Sequence, residues 1–257
     1  MVRISFFAYN FAVNLLDMKK PLKRSLIGLA IAVGVLFLVA IGFFLSFYIA
    51  SRGLVPAETT RINDSVFCIR DQYVDAYVFK GRSGFFMVDA GVSPEGIKAG
   101  LDQFGISHDQ VNTILLTHSD ADHIGAISLF KNVRIYMHKE EKQMIDGTNG
   151  KFFFLRIKWK YGPYTLLNNN DTLTVDGIKV KIIHTPGHTP GSSCYLVGSD
   201  YLVTGDNLAY KNGKFTHFTP FFNMNTPEQE QSIKNLPDPN SIRYVLTAHH
   251  GIIRNEK

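Results

Sequence analysis

Thr117-His118-Ser119-Asp120-Ala121-Asp122-His123-Ile124-Gly125 places two imidazoles and two carboxylates within six consecutive positions. These are the side chains that bind borderline and hard divalent cations, and four of them crowded together repel or desolvate one another unless a cation intervenes. The preceding residues, Val111 to Leu116, are largely β-branched and aliphatic and read as a short strand, so the cluster falls on the loop that leaves it. Open α/β sheets bind their ligands at such strand ends. The alternative is a solvated acidic turn capping a helix that begins near Asp122, since Ser and Asp favour N-caps.

The rest of the chain supplies partners for a metal. They come as His184-Thr185-Pro186-Gly187-His188-Thr189-Pro190-Gly191, Thr204-Gly205-Asp206-Asn207 and Thr247-Ala248-His249-His250-Gly251. Each follows a strand-like segment: Lys179 to Ile183, Tyr201 to Thr204 and Arg243 to Leu246. Six of the nine histidines (118, 123, 184, 188, 249 and 250) lie in these clusters, which leaves only His108, His138 and His217 elsewhere.

The order of these motifs, from about Asp64 to Gly251, resembles the metallo-β-lactamase superfamily of metallo-hydrolases. Val88-Asp89-Ala90-Gly91 resembles the family's first motif, an aspartate at a strand end that supports the metal site from behind its ligands; the alternative is an ordinary turn Asp before Gly. The resemblance implies two metals. His118, Asp120 and His188 would hold one, Asp122, His123 and His250 the other, and Asp206 would bridge both. His250 is preferred over His249 because the family places a glycine directly after this ligand. His184 is expected at the edge of the site or in packing.

One position departs from the family motif H-x-H-x-D-H: its second histidine is Asp120 here. A carboxylate is harder than imidazole and donates more charge, which favours Mn or Fe relative to Zn and raises the pKa of a coordinated water. The pattern is similar to the diiron flavoproteins of the same superfamily, which carry glutamate at that position. Asp is one methylene shorter, so the first site is expected to be loosely held. A flavin module of the kind those proteins carry is not expected here, and neither is oxygen reduction. Two divalent metal ions are therefore expected, zinc by family habit, with Fe or Mn admitted by Asp120. The commonest zinc β-lactamases differ at the position of Asp206, which weakens an antibiotic reading.

What the resemblance implies chemically is hydrolysis, in which a hydroxide held by the metals attacks a carbonyl carbon or a phosphorus centre. Asp122 would orient the water and carry its proton to the leaving group. An ester, lactone or related carbonyl compound is the expected small-molecule substrate; phosphodiesters and β-lactams are alternatives. A rival of another class is a membrane-anchored binding or assembly protein whose catalysis is weakened through Asp120.

With 257 residues the chain has room for one sizeable domain and an appendage. The appendage runs from Ser25 to Ala50 without a charge. At 1.5 Å per residue it is roughly 39 Å long as a helix, enough to cross a hydrocarbon core of roughly 30 Å. A cleaved signal peptide would have a shorter apolar run, and a core helix would show one apolar stripe, so a signal anchor is expected. Arg3, Lys19, Lys20, Lys23 and Arg24 precede the span and only Arg52 follows it closely, which places residues 1–24 in the cytoplasm and the catalytic domain outside the cell membrane. That location argues against glutathione and coenzyme A thioesters. Without those five basic residues and Asp17, the 27 basic and 22 acidic residues fall to 22 and 21, so the net charge of +5 is a topology signal and no nucleic-acid partner is expected. Met18 is an alternative start to Met1. The expected domains are the basic segment 1–24, the transmembrane anchor 25–50, a linker 51–63 and the hydrolase domain 64–257.

Ser65 to Arg70, Val74 to Lys80 and Gly84 to Asp89 read as a strand meander, Pro94 to Phe104 as a helix, with further helices after His123 and from Thr226, where Thr226-Pro227-Glu228-Gln229 fits a capping box. This alternation suits the family's α+β fold, a four-layer αββα sandwich with metals at one edge. Two cysteines, Cys68 and Cys194, exclude a disulfide-built scaffold and read as buried fillers. Lys151 to Tyr161 interleaves basic and aromatic residues, as a substrate lid, a membrane-docking segment or a half-buried element would. Phe215 to Phe222 is a second aromatic patch, read as packing or a pocket wall.

Overall fold

The computed structural model describes residues 19–152, 156–157 and 159–256. Most of the basic N-terminal segment, the choice between Met1 and Met18, and part of the 151–161 segment lie outside the described residues. Two compact units divide at Ser51 and Arg52. The first is α1 (Lys20–Ser51), 32 residues long, whose apolar side chains are exposed on all faces and which alone is long and apolar enough to be a candidate membrane span among the described residues. It begins before the uncharged run does, because Pro21 near the helix start loses no intrahelical hydrogen bond there.

The second unit, Arg52 onward, carries two large sheets. The first holds β1 (Thr60–Asn63), β2 (Val66–Asp71), β3 (Val74–Lys80), β4 (Phe85–Val88), β5 (Val111–Leu115), β6 (Arg134–His138) and β7 (Tyr164–Leu167) in that spatial order. β2 to β4 form the expected antiparallel meander, β1 extends it from within the stretch expected to be a linker, and β4 to β7 pair in parallel. The second sheet contains β8 (Thr172–Val175), β9 (Ile178–His184), β10 (Ser193–Val197) and β11 (Tyr201–Gly205). A separate hairpin, β12 (Leu208–Lys211) and β13 (Lys214–His217), then precedes β14 (Tyr244–Thr247) and β15 (Ile252–Arg254), which return to the sheet beside β11.

Side-chain alternation along these strands builds three apolar layers. In β2, Phe67 and Ile69 face the helix α2 (Pro94–Gln103), whereas Val66 and Cys68 face the other sheet. In β14, Tyr244 and Leu246 face the first sheet and Val245 faces outward, toward Ile233 and Leu236 after the second sheet's helix. Helix, sheet, sheet, helix is thus the layer order, the expected four-layer sandwich. Gly100 lets α2 lie directly on β2, since a Cβ there would meet Ile69 Cγ2 at 2.2 Å. Cys68 sits between the sheets and Cys194 on the outer face of the second; both are free and buried.

Two helical expectations are corrected. The segment after His123 is not a regular helix: α3 (Ala121–Ile124) is one turn, followed by a 3₁₀ turn at Ile127–Leu129. Gly125 explains this, because its backbone lies against Val92 and Gly91, which drives the loop along β4's exit. A second one-turn helix, α4 (Lys142–Ile145), follows β6. Helix α5 (Thr226–Ser232) is capped one residue earlier than expected: Asn225 accepts from the Glu228 N–H, and its side-chain amide donates to the Glu228 carboxylate. Asparagine does here what the threonine was assigned.

Candidate metal centre

The carboxyl ends of β4, β5, β9, β11 and β14 meet at one edge of the sandwich, and each delivers one cluster there. The loop after β5 carries His118, Asp120, Asp122 and His123; the β9 exit carries His188; Asp206 and His249 follow β11 and β14. Asp206 lies at the centre. Its Oδ2 is 3.3 Å from His188 Nε2 and 4.0 Å from His118 Nε2, while its Oδ1 is 3.2 Å from His249 Nε2 and 3.4 Å from His123 Nε2. Asp120 Oδ2 completes the first side, 3.1 Å from His188 Nε2 and 3.5 Å from His118 Nε2. Asp122 Oδ2 completes the second, 3.5 Å from His249 Nε2 and 3.9 Å from His123 Nε2. Gly205 permits this placement: its φ is +51°, and a Cβ would meet Thr117 Oγ1 at 2.4 Å.

The four imidazoles are oriented alike. His123 Nδ1 bonds Asp89 Oδ2 at 2.9 Å, His249 Nδ1 donates to the Tyr73 carbonyl at 2.7 Å, and His188 Nδ1 donates to Asn223 Oδ1 at 3.1 Å. Thr117 Oγ1 spends its one proton on Asp89 Oδ2, so at 3.1 Å it accepts from His118 Nδ1. Each ring therefore keeps its proton on Nδ1 and turns an Nε2 lone pair inward, the arrangement found around metal-binding histidines. His118 Nε2, His123 Nε2 and Asp206 Oδ1 are buried without a hydrogen-bond partner. Orphaned acceptors cost free energy, and a divalent cation is the group that would satisfy all three together. The donor set thus fits a metal. Three subsets of one-atom ligands lie close enough to share an ion: His118, His123 and Asp206; His118, Asp120 and His188; and Asp122, His123 and His249.

The charges differ across the cluster. Burial favours neutral His123 and His249, yet the carboxylates around them outweigh it and raise the proton affinity of both. His188 goes the other way, down to about 4, through burial and the Lys151 ammonium. Burial opposes charge on Asp120, but Lys151 and His118 hold its carboxyl well below the usual range.

The structure brings together every expected residue except His250, and His249 stands in its place. The Thr247–Gly251 turn, closed by Thr247 Oγ1 on the His250 N–H and by the Thr247 N–H on the Gly251 carbonyl, points the two neighbouring rings apart. His250 packs 6.0 Å from Phe218, outside the cluster. Gly251 serves the turn, at φ +74°, so its presence after His250 carries no information about the ligand. His184 is a packing residue: it stacks on His138 at 3.8 Å and bonds the Pro190 carbonyl. Phe218, from the second aromatic patch, packs against His188 and His249.

Three contributors were not visible beforehand. Glu141, in a Lys-Glu-Glu-Lys run that looks solvated, is buried and accepts from Ser119 N–H and Oγ–H, Thr189 Oγ–H and Gly191 N–H, clamping the β5 loop to the β9 loop. Tyr73 orients His249 through a backbone carbonyl, which any residue type supplies. Lys151 pairs with Asp120 inside the cluster.

Comparison with known proteins agrees with this geometry. The model of the metallo-β-lactamase superfamily matches residues 69–249. A probable metallo-hydrolase of Methanocaldococcus jannaschii is 29% identical over 159 residues, 62% of this chain and 66% of the relative. A hydroxyacylglutathione hydrolase of Yersinia pestis is 30% identical over 152 residues, 56% of this chain and 50% of the relative. The chain thus spans about half to two thirds of the length of these curated relatives. Among solved structures, the Rm3 metallo-β-lactamase superposes with a TM-score of 0.60 at 18% identity, covering 78% of this chain and 80% of that one. The chain belongs to the metallo-β-lactamase superfamily, a hydrolase family by the names of these relatives.

Proposed function

We propose that this protein is a membrane-anchored, metal-dependent hydrolase of an ester, lactone or related carbonyl substrate, with the domain after Arg52 outside the cell membrane. The observation that carries the metal is the central carboxylate of Asp206, each of whose oxygens faces a different pair of imidazoles. His118, Asp120 and His188 would hold one cation, Asp122, His123 and His249 the other, with Asp206 shared. Bound there, the cations would supply an acidified water and a counter-charge for the oxyanion of the transition state. Asp122, partly exposed at the cluster's rim, is the group placed to take a proton from water and pass it to the leaving group. The carbonyl class rests on the fold and on a relative named hydroxyacylglutathione hydrolase; phosphodiesters and β-lactams share the same chemistry of attack. Zinc is the metal proposed first, with Fe or Mn favoured by the carboxylate at Asp120.

The test is a screen of the detergent-solubilised full chain, loaded in turn with Zn, Mn and Fe, against aryl esters, lactones and phosphodiesters. Ester or lactone turnover that a chelator removes and one of these metals restores supports the reading. Stoichiometric metal with no turnover on any class would favour the rival role of a binding or assembly protein.

A further inference from the structure

Lys151 occupies a position that the ligand set alone does not explain. Its ammonium pairs with Asp120 Oδ2 and lies 2.7 Å from His188 Nε2, so it engages two of the atoms that the first side would offer to a cation. Its side chain is only 11% exposed. The turn that brings it there is pinned: Asn149 N–H donates to the Gln143 carbonyl, Asn149 Nδ2 donates to Gln143 Oε1, and Gly150 N–H donates to Asn149 Oδ1. At the second side no ammonium or guanidinium pairs with Asp122 among the described residues. A desolvated lysine is expensive unless it is matched, and here the extra carboxylate in the β5 loop matches it. Asp120 and Lys151 thus read as one device, a negative ligand with its own tethered cation.

We propose that the Lys151 ammonium is a built-in competitor for the first metal position, so that metal enters in two unequal steps. The second side, Asp122, His123 and His249 with Asp206, fills first and tightly. The first side fills only when the ammonium leaves Asp120 and His188, since two cations cannot share those atoms. Charge repulsion at such distances, screened by the partly solvated rim, weakens the first position by on the order of 100-fold. The proposal rests on the reading of the cluster as a metal centre.

The experiment is a competition titration of the metal-free full chain with Zn against a chromophoric chelator, comparing wild type, Lys151→Met and Lys151→Arg. Wild type is expected to show two dissociation constants about 100-fold apart, and Lys151→Met, similar in length but uncharged, to bring them within about 10-fold by tightening only the weaker. Lys151→Arg keeps the separation. The tight constant, unchanged across the series, reports that each variant is folded. Two equal steps in wild type, or an unaltered pair of constants in Lys151→Met, overturns the proposal and leaves the metal centre standing; no binding at any step overturns the metal centre itself.

Discussion

The two sides of Asp206 are topological twins set apart by one charge, the Lys151 ammonium that enters only the first. Each offers two imidazoles, one aspartate from the β5 loop and one oxygen of Asp206. Behind each side stands a buried acid: Asp89 holds His123 at the second, and Glu141 clamps the β5 loop to the β9 loop at the first. Into the first side reaches an ammonium, and the neutral amide of Asn223 holds His188. The comparison teaches that ligand identity alone does not set the strength of a site. The net charge of the groups behind and beside the ligands tilts a symmetric frame toward one half.

The largest expected effect comes from Asp122→Asn, which keeps the shape of the second side but removes its proton carrier. Turnover should fall by roughly 10² to 10⁴ while the metal content of the purified protein changes little. A parallel loss of metal would make Asp122 a ligand only. Next, Asp89→Asn should weaken metal binding at the tight step by about 10 to 100-fold, because it loosens His123 directly, and the weaker step by less, because it reaches His118 only through Thr117. Asn223→Ala should leave that tight constant alone and weaken only the other, and equal effects of the two variants would dissolve the contrast between the sides.

Glu141→Gln tests the clamp on the first side. The carboxylate accepts from four donors, and an amide turns one acceptor into a donor facing them, so unfolding in urea should become easier by about 1 to 3 kcal/mol. A further effect concerns pH. Burial pushes the Asp75 carboxyl up from 3.8 to about 7. The folded chain then binds this proton more tightly than the unfolded chain does, so its stabilising contribution is full below about 3.8 and is lost as pH rises through about 7. A thermal-melting series from pH 4 to 8 should show that decline, and Asp75→Asn should flatten it.

Most of the fold and of the cluster was legible in the sequence, for a physical reason. Metal ligands must be His or Asp, they must leave strand ends to converge, and such residues at such places are rare by accident. β5, β11 and β14 were readable within about a residue because both faces are largely buried, which demands apolar runs bounded by turn residues, and β9 because lysines alternate with Val180 and Ile182. The choice between His249 and His250 was not legible, because it depends on which way a five-residue turn points and neither ring differs in kind. Glu141 and Lys151 were hidden for the opposite reason: charged residues within charged or aromatic runs read as solvated, and only tertiary packing buries them.

The measurement that bears most directly on the central claim is elemental analysis of the metal-loaded full chain beside Asp206→Ala. Removing the shared carboxylate should strip metal from both sides, with activity falling by on the order of 10³-fold as several kcal/mol of charge stabilisation disappear. An Asp206→Ala protein that keeps the metal content of wild type would contradict the assignment of this cluster as the metal centre.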